Sequence, residues 1–409
     1  MKLLKGVLSV CALLLVGGCA GFGIFSARTP GTVYVVYCID TEPNSFNDDL
    51  FSQRLNLSAF APHSIVDQTF ETGFRDSLMD SFGHPVIFTW FLMTTEAFRQ
   101  TPEGLNAIPE IFLKHFRSKS STFGDEIAWH YHHSDWYLDR ARNRSRWNPL
   151  HTFSDSIYRD APDRKLALDQ LAAFIYLNRL YPAGYRAGWN WENTDFSNWL
   201  DSLIPFDYSN DWDSVADSVM LYHPSVDNLF KAGGLHRSIV RCVDRPDTAY
   251  VRLLFERAGK GENVILAHYT HNYGGANTSN NTLKARAQLM HGYLTRYSRA
   301  FGVMFKYCSA SGAVNLLQRQ SCPDTFALSV SWAPDERKVS AAFDDDVFGT
   351  PIVCYETNHG RIEGAFMTPM ALSGGWEYCF SDSAPVRFVL AAVSTCGQQF
   401  ITELPVSRE

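Results

Sequence analysis

A continuous run of β-branched and aromatic residues near the N-terminus constrains the fold most strongly. Thr32 to Ile39 shows no alternation of polar and apolar residues, which is typical of a strand buried on both faces of a parallel sheet or barrel. A second such run covers Pro85 to Leu92, and helical patterns such as Asp163 to Leu180 lie between the runs. Strands and helices alternate in this way as far as Tyr307. The pattern predicts an α/β protein with a parallel sheet, and the number of units favours a barrel.

The character of the sequence changes after Pro323. From Phe326 to Val406 the chain contains short runs of alternating polarity, separated by turn residues. This pattern predicts a small antiparallel β domain, most simply a sandwich. We therefore expect the barrel to occupy residues 32–322 and a β-sandwich-like domain to occupy residues 323–409.

The N-terminus carries an export signal. Two lysines precede the apolar run Val7 to Val16, which is too short to span a bilayer and suits a signal peptide. The run ends in Gly17-Gly18-Cys19, which looks like a bacterial lipobox with an acylated cysteine. We predict a signal peptide over residues 1–18, a tether over 19–31 and a membrane anchor through lipid on Cys19. Ala20 follows this cysteine, which favours the periplasmic face of the outer membrane within the cell envelope.

Charge and cysteine content argue against a nucleic-acid-binding protein and against a zinc site made of cysteines. The net charge is −7, and no Lys/Arg-rich face suggests nucleic acid as a partner. The cysteines have no CxxC spacing, which argues against cysteine-ligated zinc. An export compartment permits disulfides. Cys308 and Cys322 are a plausible pair, as are two of the three later cysteines, Cys354, Cys379 and Cys396.

Two acidic residues end the first strand. If the strand persists, Asp40 and Glu42 share one face, and two carboxylates so close together favour a metal or proton between them. Further along, His130 and His132 also share a strand face. Two histidines with one carboxylate form a common catalytic metal set that leaves positions open for water.

Two further polar residues follow predicted strands. Arg186 ends a short strand, where a guanidinium can form a bidentate pair with a carboxylate. His268 ends an apolar strand, Asn263 to His268, and this is the end at which parallel barrels carry catalytic groups.

In their order along the chain, these segments resemble the polysaccharide deacetylase superfamily of NodB-like carbohydrate esterases. The resemblance covers roughly residues 32 to 315. Ile39–Glu42 looks like a D-x-E form of the acidic motif, and Phe88–Phe91 is similar to the T-F-F strand. Asp125–His132 resembles the E-I-G-x-H metal motif in its H-x-H branch. Tyr185–Gly188 is similar to the F-R-A-G motif, and Leu266–His268 resembles the final strand with its histidine.

The resemblance implies a distorted (β/α) barrel that hydrolyses an N-acetyl or O-acetyl group with a divalent metal ion, often zinc. It implies that Asp40 is the general base, that Arg186 orients Asp40, and that His268 protonates the leaving group. The implied metal ligands are Glu42, His130 and His132.

Several assignments stay open in the sequence. Thr41 separates the two acidic residues, so the roles of Asp40 and Glu42 can be exchanged. His133 competes with His132 as a ligand, and His271 competes with His268 as the acid. The long segment from Ser134 to Pro162, which carries several aromatic residues and arginines, is a hypothetical lining of the substrate groove.

The leading hypothesis is a metal-dependent deacetylase that acts on an exported or cell-envelope polysaccharide. One alternative is a glycoside hydrolase, which needs two carboxylates flanking the bond, such as Asp40 with Glu192 or Asp207. Another alternative is a glycan-binding envelope lipoprotein without catalytic activity. Convergence of His130, His132 and an acid on one point would separate the first hypothesis from the last.

Overall fold

The computed structural model describes most of the chain between residues 29 and 405. The described ranges are 29–42, 57–95, 107–132, 134–139, 144–149, 162–216, 218–244, 246–272, 282–322, 328–343, 346–371, 374–381, 385 and 387–405. Cys19 and the whole predicted signal peptide lie outside these ranges. Lipid anchoring through Cys19 therefore stays a prediction.

The N-terminal part of the chain alternates strands with helices, as the sequence pattern predicts. Its strands are β1 (Thr32–Thr41), β2 (Phe88–Thr94), β3 (Glu126–Tyr131), β4 (Ser134–Asp139), β5 (Arg144–Pro149), β6 (Gly184–Ala187), β7 (Phe206–Asn210), β8 (Leu221–Tyr222), β9 (Pro224–Ser225), β10 (Asn228–Ala232), β11 (Ser238–Asp244), β12 (Val264–His271) and β13 (Met304–Cys308). Its α-helices are α1 (Thr72–Asp76), α2 (Ala107–Phe123), α3 (Pro162–Asn178), α4 (Thr194–Leu200), α5 (Thr248–Gly259), α6 (Leu283–Phe301) and α7 (Ala310–Gln318).

Seven parallel strands close into a barrel. They follow the order β12, β1, β2, β3, β6, β7 and β11, and β11 pairs again with β12. The barrel is distorted at β1, whose first half pairs with β13 and whose second half pairs with β2, both in parallel. This confirms the predicted α/β barrel. Every residue of β1 after Thr32 is buried, which explains its uninterrupted apolar sequence because a barrel strand is covered on both faces.

Four of the described helices around the barrel, α4 to α7, begin at side-chain caps. A cap side chain accepts a hydrogen bond from a backbone N–H in the first turn, which would otherwise lack a partner inside the helix. The caps of α4, α5, α6 and α7 are Asn193, Asp247, Thr282 and Ser309. Each helix therefore starts at a position fixed by the sequence, just after a barrel strand or the loop that follows it.

The C-terminal part forms two antiparallel sheets, as predicted. Its strands are β14 (Leu328–Ala333), β15 (Lys338–Phe343), β16 (Ile352–Glu356), β17 (Ile362–Phe366), β18 (Thr368–Pro369), β19 (Trp376–Cys379), β20 (Arg387–Val393) and β21 (Gln399–Pro405). One sheet has the order β14, β15, β19, β18 and the other the order β17, β16, β20, β21. A second hydrophobic core that includes Val339, Val353 and Phe388 lies between the sheets.

Helix α3 joins the barrel to these sheets. Gly364 of β17 lies so close to α3 that an added Cβ would come within 2.8 Å of the Ala172 Cβ, and its N–H donates to Asp169 at 3.0 Å. Ile352 and Cys354 of β16 belong to the same apolar cluster as the barrel core. The C-terminal part therefore contributes side chains to the barrel core as well as to its own core between the sheets.

The cysteine pairing expected from the sequence is wrong for the described residues. Among the described residues, Cys38, Cys242, Cys308, Cys354, Cys379 and Cys396 are free thiols. Cys308 is buried at the end of β13, whereas Cys322 lies near the backbone of Cys396, with its Sγ 3.9 Å from that carbonyl oxygen. The separation of Cys308 from Cys322 along α7 explains why they do not pair.

The described helices include none that is long and apolar enough to cross a bilayer. Strands β4 and β5 pair in an antiparallel arrangement. Within the predicted groove segment, the described backbone is limited to these two strands and the first residue of α3.

Candidate metal centre and active site

The C-terminal end of β1 carries two buried carboxylates. Asp40 and Glu42 are 2% and 1% exposed, and alternation along the strand turns both toward the same side. Asp40 lies opposite Phe91 of β2 and His271 of β12. Asn272 fixes this end of the strand, because its Oδ1 accepts from Glu42 N at 2.8 Å and its Nδ2 donates to Glu42 O at 2.9 Å. No motif in the sequence singled out Asn272.

Two histidines meet Glu42 at one point. His130 Nε2 and His132 Nε2 lie 2.9 and 3.1 Å from Glu42 Oε1, and 2.8 Å from each other. Ligands at zinc–ligand distances of about 2.0–2.1 Å in a tetrahedron are about 3.3 Å apart. The three atoms are therefore arranged nearly as a divalent ion requires, and a small outward shift would accommodate it. Two imidazoles and a carboxylate are also the donor types such an ion prefers.

The tautomer of His130 suits metal binding. Its Nδ1 lies 2.8 Å from the carbonyl oxygen of Arg186, and a carbonyl can only accept. Nδ1 therefore carries a hydrogen, and Nε2 is the nitrogen that can bind a metal ion in place of its own proton. This arrangement, in which the outer ring nitrogen is held by the backbone, is common for histidine ligands.

The ionisation of the cluster follows from burial and mutual charge. Burial favours a neutral Glu42, but His271 and the hydrogen bonds from His130 and His132 outweigh it and hold the pKa of Glu42 well below its usual range. Burial also lowers the pKa of His130, but Asp40 and Glu42 outweigh it and raise this pKa. Burial and the neighbouring His130 lower the pKa of His132. Glu42 is thus an anion beside two imidazoles of which only one readily holds a proton, and a cation can replace that proton.

Gly188 makes room for His132. A Cβ at position 188 would lie 2.6 Å from His132 Cγ and 2.8 Å from its Nδ1, closer than carbon atoms approach without displacement. A side chain at position 188 would therefore clash with the imidazole, because β6 and the 3₁₀ turn Gly188–Asn190 run directly behind it.

Replacing Gly188 with alanine should displace His132 and weaken metal binding about 10–100-fold, the usual effect of disturbing residues behind a ligand. Titration of the metal-free protein with zinc measures this change. Gly73→Ala is the matched control, because a Cβ there meets nothing within 4 Å. Equal zinc affinity in the Gly188→Ala variant and the control would contradict the proposed ligand role of His132.

Arg186 holds Asp40. Its Nε lies 2.8 and 2.9 Å from the two carboxylate oxygens of Asp40, and its Nη1 donates to the carbonyl oxygen of Tyr208 at 2.8 Å. Burial would lower the pKa of Arg186, but the charge of Asp40 outweighs burial and raises it. Arg186 is therefore a permanent cation that fixes the position of the Asp40 carboxylate.

The structure corrects the expectation for His268. Successive residues of β12 face opposite sides, and His268 lies on the outer side, with its ring 4.3 Å from the ring of Tyr37. Burial and Arg286 lower the pKa of His268 to about 3. His268 is not among the residues whose ligand atoms converge with Asp40 and Glu42. The apolar sequence of β12 predicted a strand end here, but the strand continues for three more residues.

His271, the alternative to His268, reaches the site. Its Nε2 lies 3.7 Å from Glu42 Oε1, and its side chain is 33% exposed. Asp40, Glu42 and His271 place ligand atoms within 4.8 Å of one another. His133, the alternative to His132, lies outside the described residues.

Glu192 and Asp207, the carboxylates considered for a glycoside hydrolase, are occupied elsewhere. Both pair with the buried guanidinium of Arg237, at 2.9 and 2.6 Å. Asp207 precedes Tyr208 on β7, so its side chain faces away from the side on which the Tyr208 ring contacts Phe91. This cluster anchors the segment that follows Gly188–Asn190 and provides no second carboxylate facing Asp40.

The ionisation of Glu192 should lower the free energy of unfolding as the pH rises. Burial raises the pKa of Glu192 from 4.5 to about 8, with Arg237 opposing and Asp207 adding to the shift. The folded protein then keeps a proton that the unfolded chain releases. The stabilising contribution is complete below about pH 4.5 and is lost as the pH rises through about 8.

The variant Glu192→Gln removes this ionisation. Its melting temperature relative to the unsubstituted protein should increase steadily between about pH 5.5 and 8.5 in thermal unfolding. Glu256→Gln, on the exposed side of α5 where Glu256 pairs with Arg252, is the control and should show no such trend. If the difference in melting temperature between Glu192→Gln and the unsubstituted protein does not change with pH, Glu192 is ionised in the folded state throughout this range.

Comparison with known proteins gives distant structural similarities. No protein-family model matches the sequence, and no curated protein matches it either. Among solved structures, a putative polysaccharide deacetylase from Mycobacterium smegmatis is similar with 17% identity and a TM-score of 0.41, over 74% of this chain and 97% of that one. The allantoinase Puue is similar with 13% identity and a TM-score of 0.37, over 72% of this chain and 94% of that one.

Proposed function

We propose that this protein is a metal-dependent hydrolase that removes acetyl groups from an exported or cell-envelope polysaccharide. The observation that carries the proposal is the convergence of His130, His132 and Glu42 on one point beside the Asp40–Arg186 pair. A protein that only binds carbohydrate needs neither a cluster of three metal-ligand atoms nor a carboxylate fixed next to it. The set matches two histidines and one acid with positions left for water.

The residues divide the reaction between them. Glu42, His130 and His132 would hold a divalent ion, with zinc the first choice for this donor set. When bound, such an ion supplies Lewis acidity toward the acetyl carbonyl and makes water a better nucleophile. Asp40, oriented by Arg186, accepts a proton from the water that attacks the carbonyl carbon. His271 donates a proton to the nitrogen or oxygen that leaves when its bond to that carbon breaks, and acetate is released.

Acetate release tests the proposal directly. The purified, zinc-loaded protein is incubated with N-acetylated and O-acetylated oligosaccharides, and free acetate and chain length are measured separately. Acetate with unchanged chain length supports the deacetylase. Shortened chains would instead indicate a glycoside hydrolase, and binding without any product would indicate a glycan-binding protein.

The cellular place of the reaction is also a proposal. The apolar run and Gly17-Gly18-Cys19 support export and a lipid anchor in the cell envelope. An anchor at this position would keep the barrel close to a membrane surface and to envelope polysaccharide. Metabolic labelling with a palmitate analogue, compared between the protein and its Cys19→Ala variant, measures the lipid on the cysteine.

A further inference from the structure

A second group of side chains surrounds Arg186 on the side that Asp40 does not occupy. The guanidinium lies over the ring of Tyr269, with Cζ 3.5 Å from the ring centroid. Its Nη2 donates to Asn190 Oδ1. Asn190 Nδ2 in turn donates to the Tyr269 hydroxyl at 2.9 Å. Asn190 and Tyr269 are therefore joined to Arg186 and to each other.

The donor and the acceptor of each hydrogen bond in this group can be assigned. The Tyr269 hydroxyl lies 3.4 Å from Asp211 Oδ2, and a carboxylate can only accept, so the hydroxyl hydrogen points to Asp211. The hydroxyl oxygen then accepts from the amide nitrogen of Asn190. This leaves the amide oxygen of Asn190 for Arg186, which can only donate. Arg186 and the Tyr269 hydroxyl thus hold the Asn190 amide from its two ends, with the oxygen toward Arg186 and the nitrogen toward Tyr269.

The backbone of Asn190 is held in an uncommon conformation. Its φ of 55° lies in the left-handed region, which asparagine tolerates better than most residues with a side chain. Its carbonyl oxygen accepts from the indole Nε1 of Trp212 at 2.6 Å. Backbone conformations of this kind persist where surrounding contacts fix them, and they are found preferentially at functional sites.

We propose that Asn190 and Tyr269 are positioning residues that lock the guanidinium of Arg186 against Asp40. The inference rests on the proposed function, in which Asp40 takes the proton of water. Arg186 directs Nε to Asp40, Nη1 to Tyr208 O and Nη2 to Asn190, while Tyr269 covers one face of the guanidinium. Without the Asn190 amide, the guanidinium keeps its bonds to Asp40 and to Tyr208 O but loses the third contact that restricts its motion, so the carboxylate it holds is less precisely directed.

The variants Asn190→Gly and Tyr269→Phe separate this role from general stability. Glycine keeps the left-handed backbone and removes the amide. Phenylalanine keeps the ring over Arg186 and removes the hydroxyl that orients the amide. Arg319→Gly is the matched control, because Arg319 has the same φ of 55° at the end of α7, away from the site.

Hydrogen exchange of the Arg186 Nε–H, followed by NMR after selective ¹⁵N-arginine labelling, measures the lock without requiring catalysis. Its signal is assigned as the one missing in Arg186→Lys. Exchange should be faster by about tenfold in Asn190→Gly and less so in Tyr269→Phe. In both variants kcat for acetate release should fall, by about 10–100-fold in Asn190→Gly, with KM within about twofold and zinc content unchanged.

Exchange and kcat equal to those of Arg319→Gly would overturn the positioning role, as would a loss of bound zinc. If Asn190→Gly does not fold, Tyr269→Phe decides the question alone. An unsubstituted protein that releases no acetate but shows the exchange differences would overturn the proposed function and leave the lock intact.

Discussion

Replacing Asp40 with asparagine is expected to lower kcat/KM for acetate release about 10³-fold while leaving bound zinc in place. The amide has the shape of the carboxylate and can still accept from Arg186, but it cannot take a proton from water. Both carboxylate oxygens of Asp40 lie within 2.9 Å of Arg186 Nε, so a ligand role for Asp40 would compete with this pair. Initial rates of acetate release and the zinc content of the same preparation measure the two quantities.

The Glu42→Gln variant is the control for Asp40→Asn. Glu42 contacts both His130 Nε2 and His132 Nε2, so its loss should remove zinc as well as activity. If Asp40→Asn loses the metal and Glu42→Gln keeps it, the roles of the two acids are exchanged, which is the alternative that the sequence Asp40-Thr41-Glu42 left open.

The second large effect is expected at His271. Substitution by glutamine should lower kcat about 10²-fold, because the leaving nitrogen or oxygen then departs without a proton. The effect should be smaller for substrates whose leaving group is a good one, since these need less help from an acid. A substrate series with leaving groups of falling pKa measures the trend.

His268→Gln is the matched comparison on the same strand. His268 is buried on the outer side of β12 against Tyr37, so its substitution should lower the melting temperature and leave kcat per folded molecule within about threefold. A 10²-fold loss of kcat at His268 with none at His271 would show that the barrel side of β12 has been assigned wrongly.

Much of the fold follows from local patterns in the sequence. The apolar stretch of β1 predicted a doubly covered strand, and alternation correctly placed Asp40 with Glu42 and His130 with His132 on shared faces, because a period of two is a property of the strand itself. The change to alternating polarity after Pro323 likewise predicted the two antiparallel sheets, although β16 and β20 are covered on both faces, by the other sheet and by the barrel.

The parts that sequence could not give depend on contacts between distant strands. The choice between His268 and His271 turns on where β12 ends, and that is set by its pairing with β1 as far as Asp40 opposite His271. The pairing of β13 with the first half of β1 and the linkage of Asn190 to Tyr269 join residues far apart in the chain. No local spacing encodes such pairings, so the sequence alone left them open.

The metal content of the purified protein is the most direct test of the central claim that Glu42, His130 and His132 form a metal site. Elemental analysis after loading with zinc and removal of unbound ion is compared with the His130→Ala/His132→Ala variant and with His268→Ala. The account predicts about one equivalent of zinc in the unsubstituted protein and in His268→Ala, and none in the double variant. The absence of bound zinc or any other divalent metal from the loaded, unsubstituted protein, or equal binding by the double variant, would contradict it.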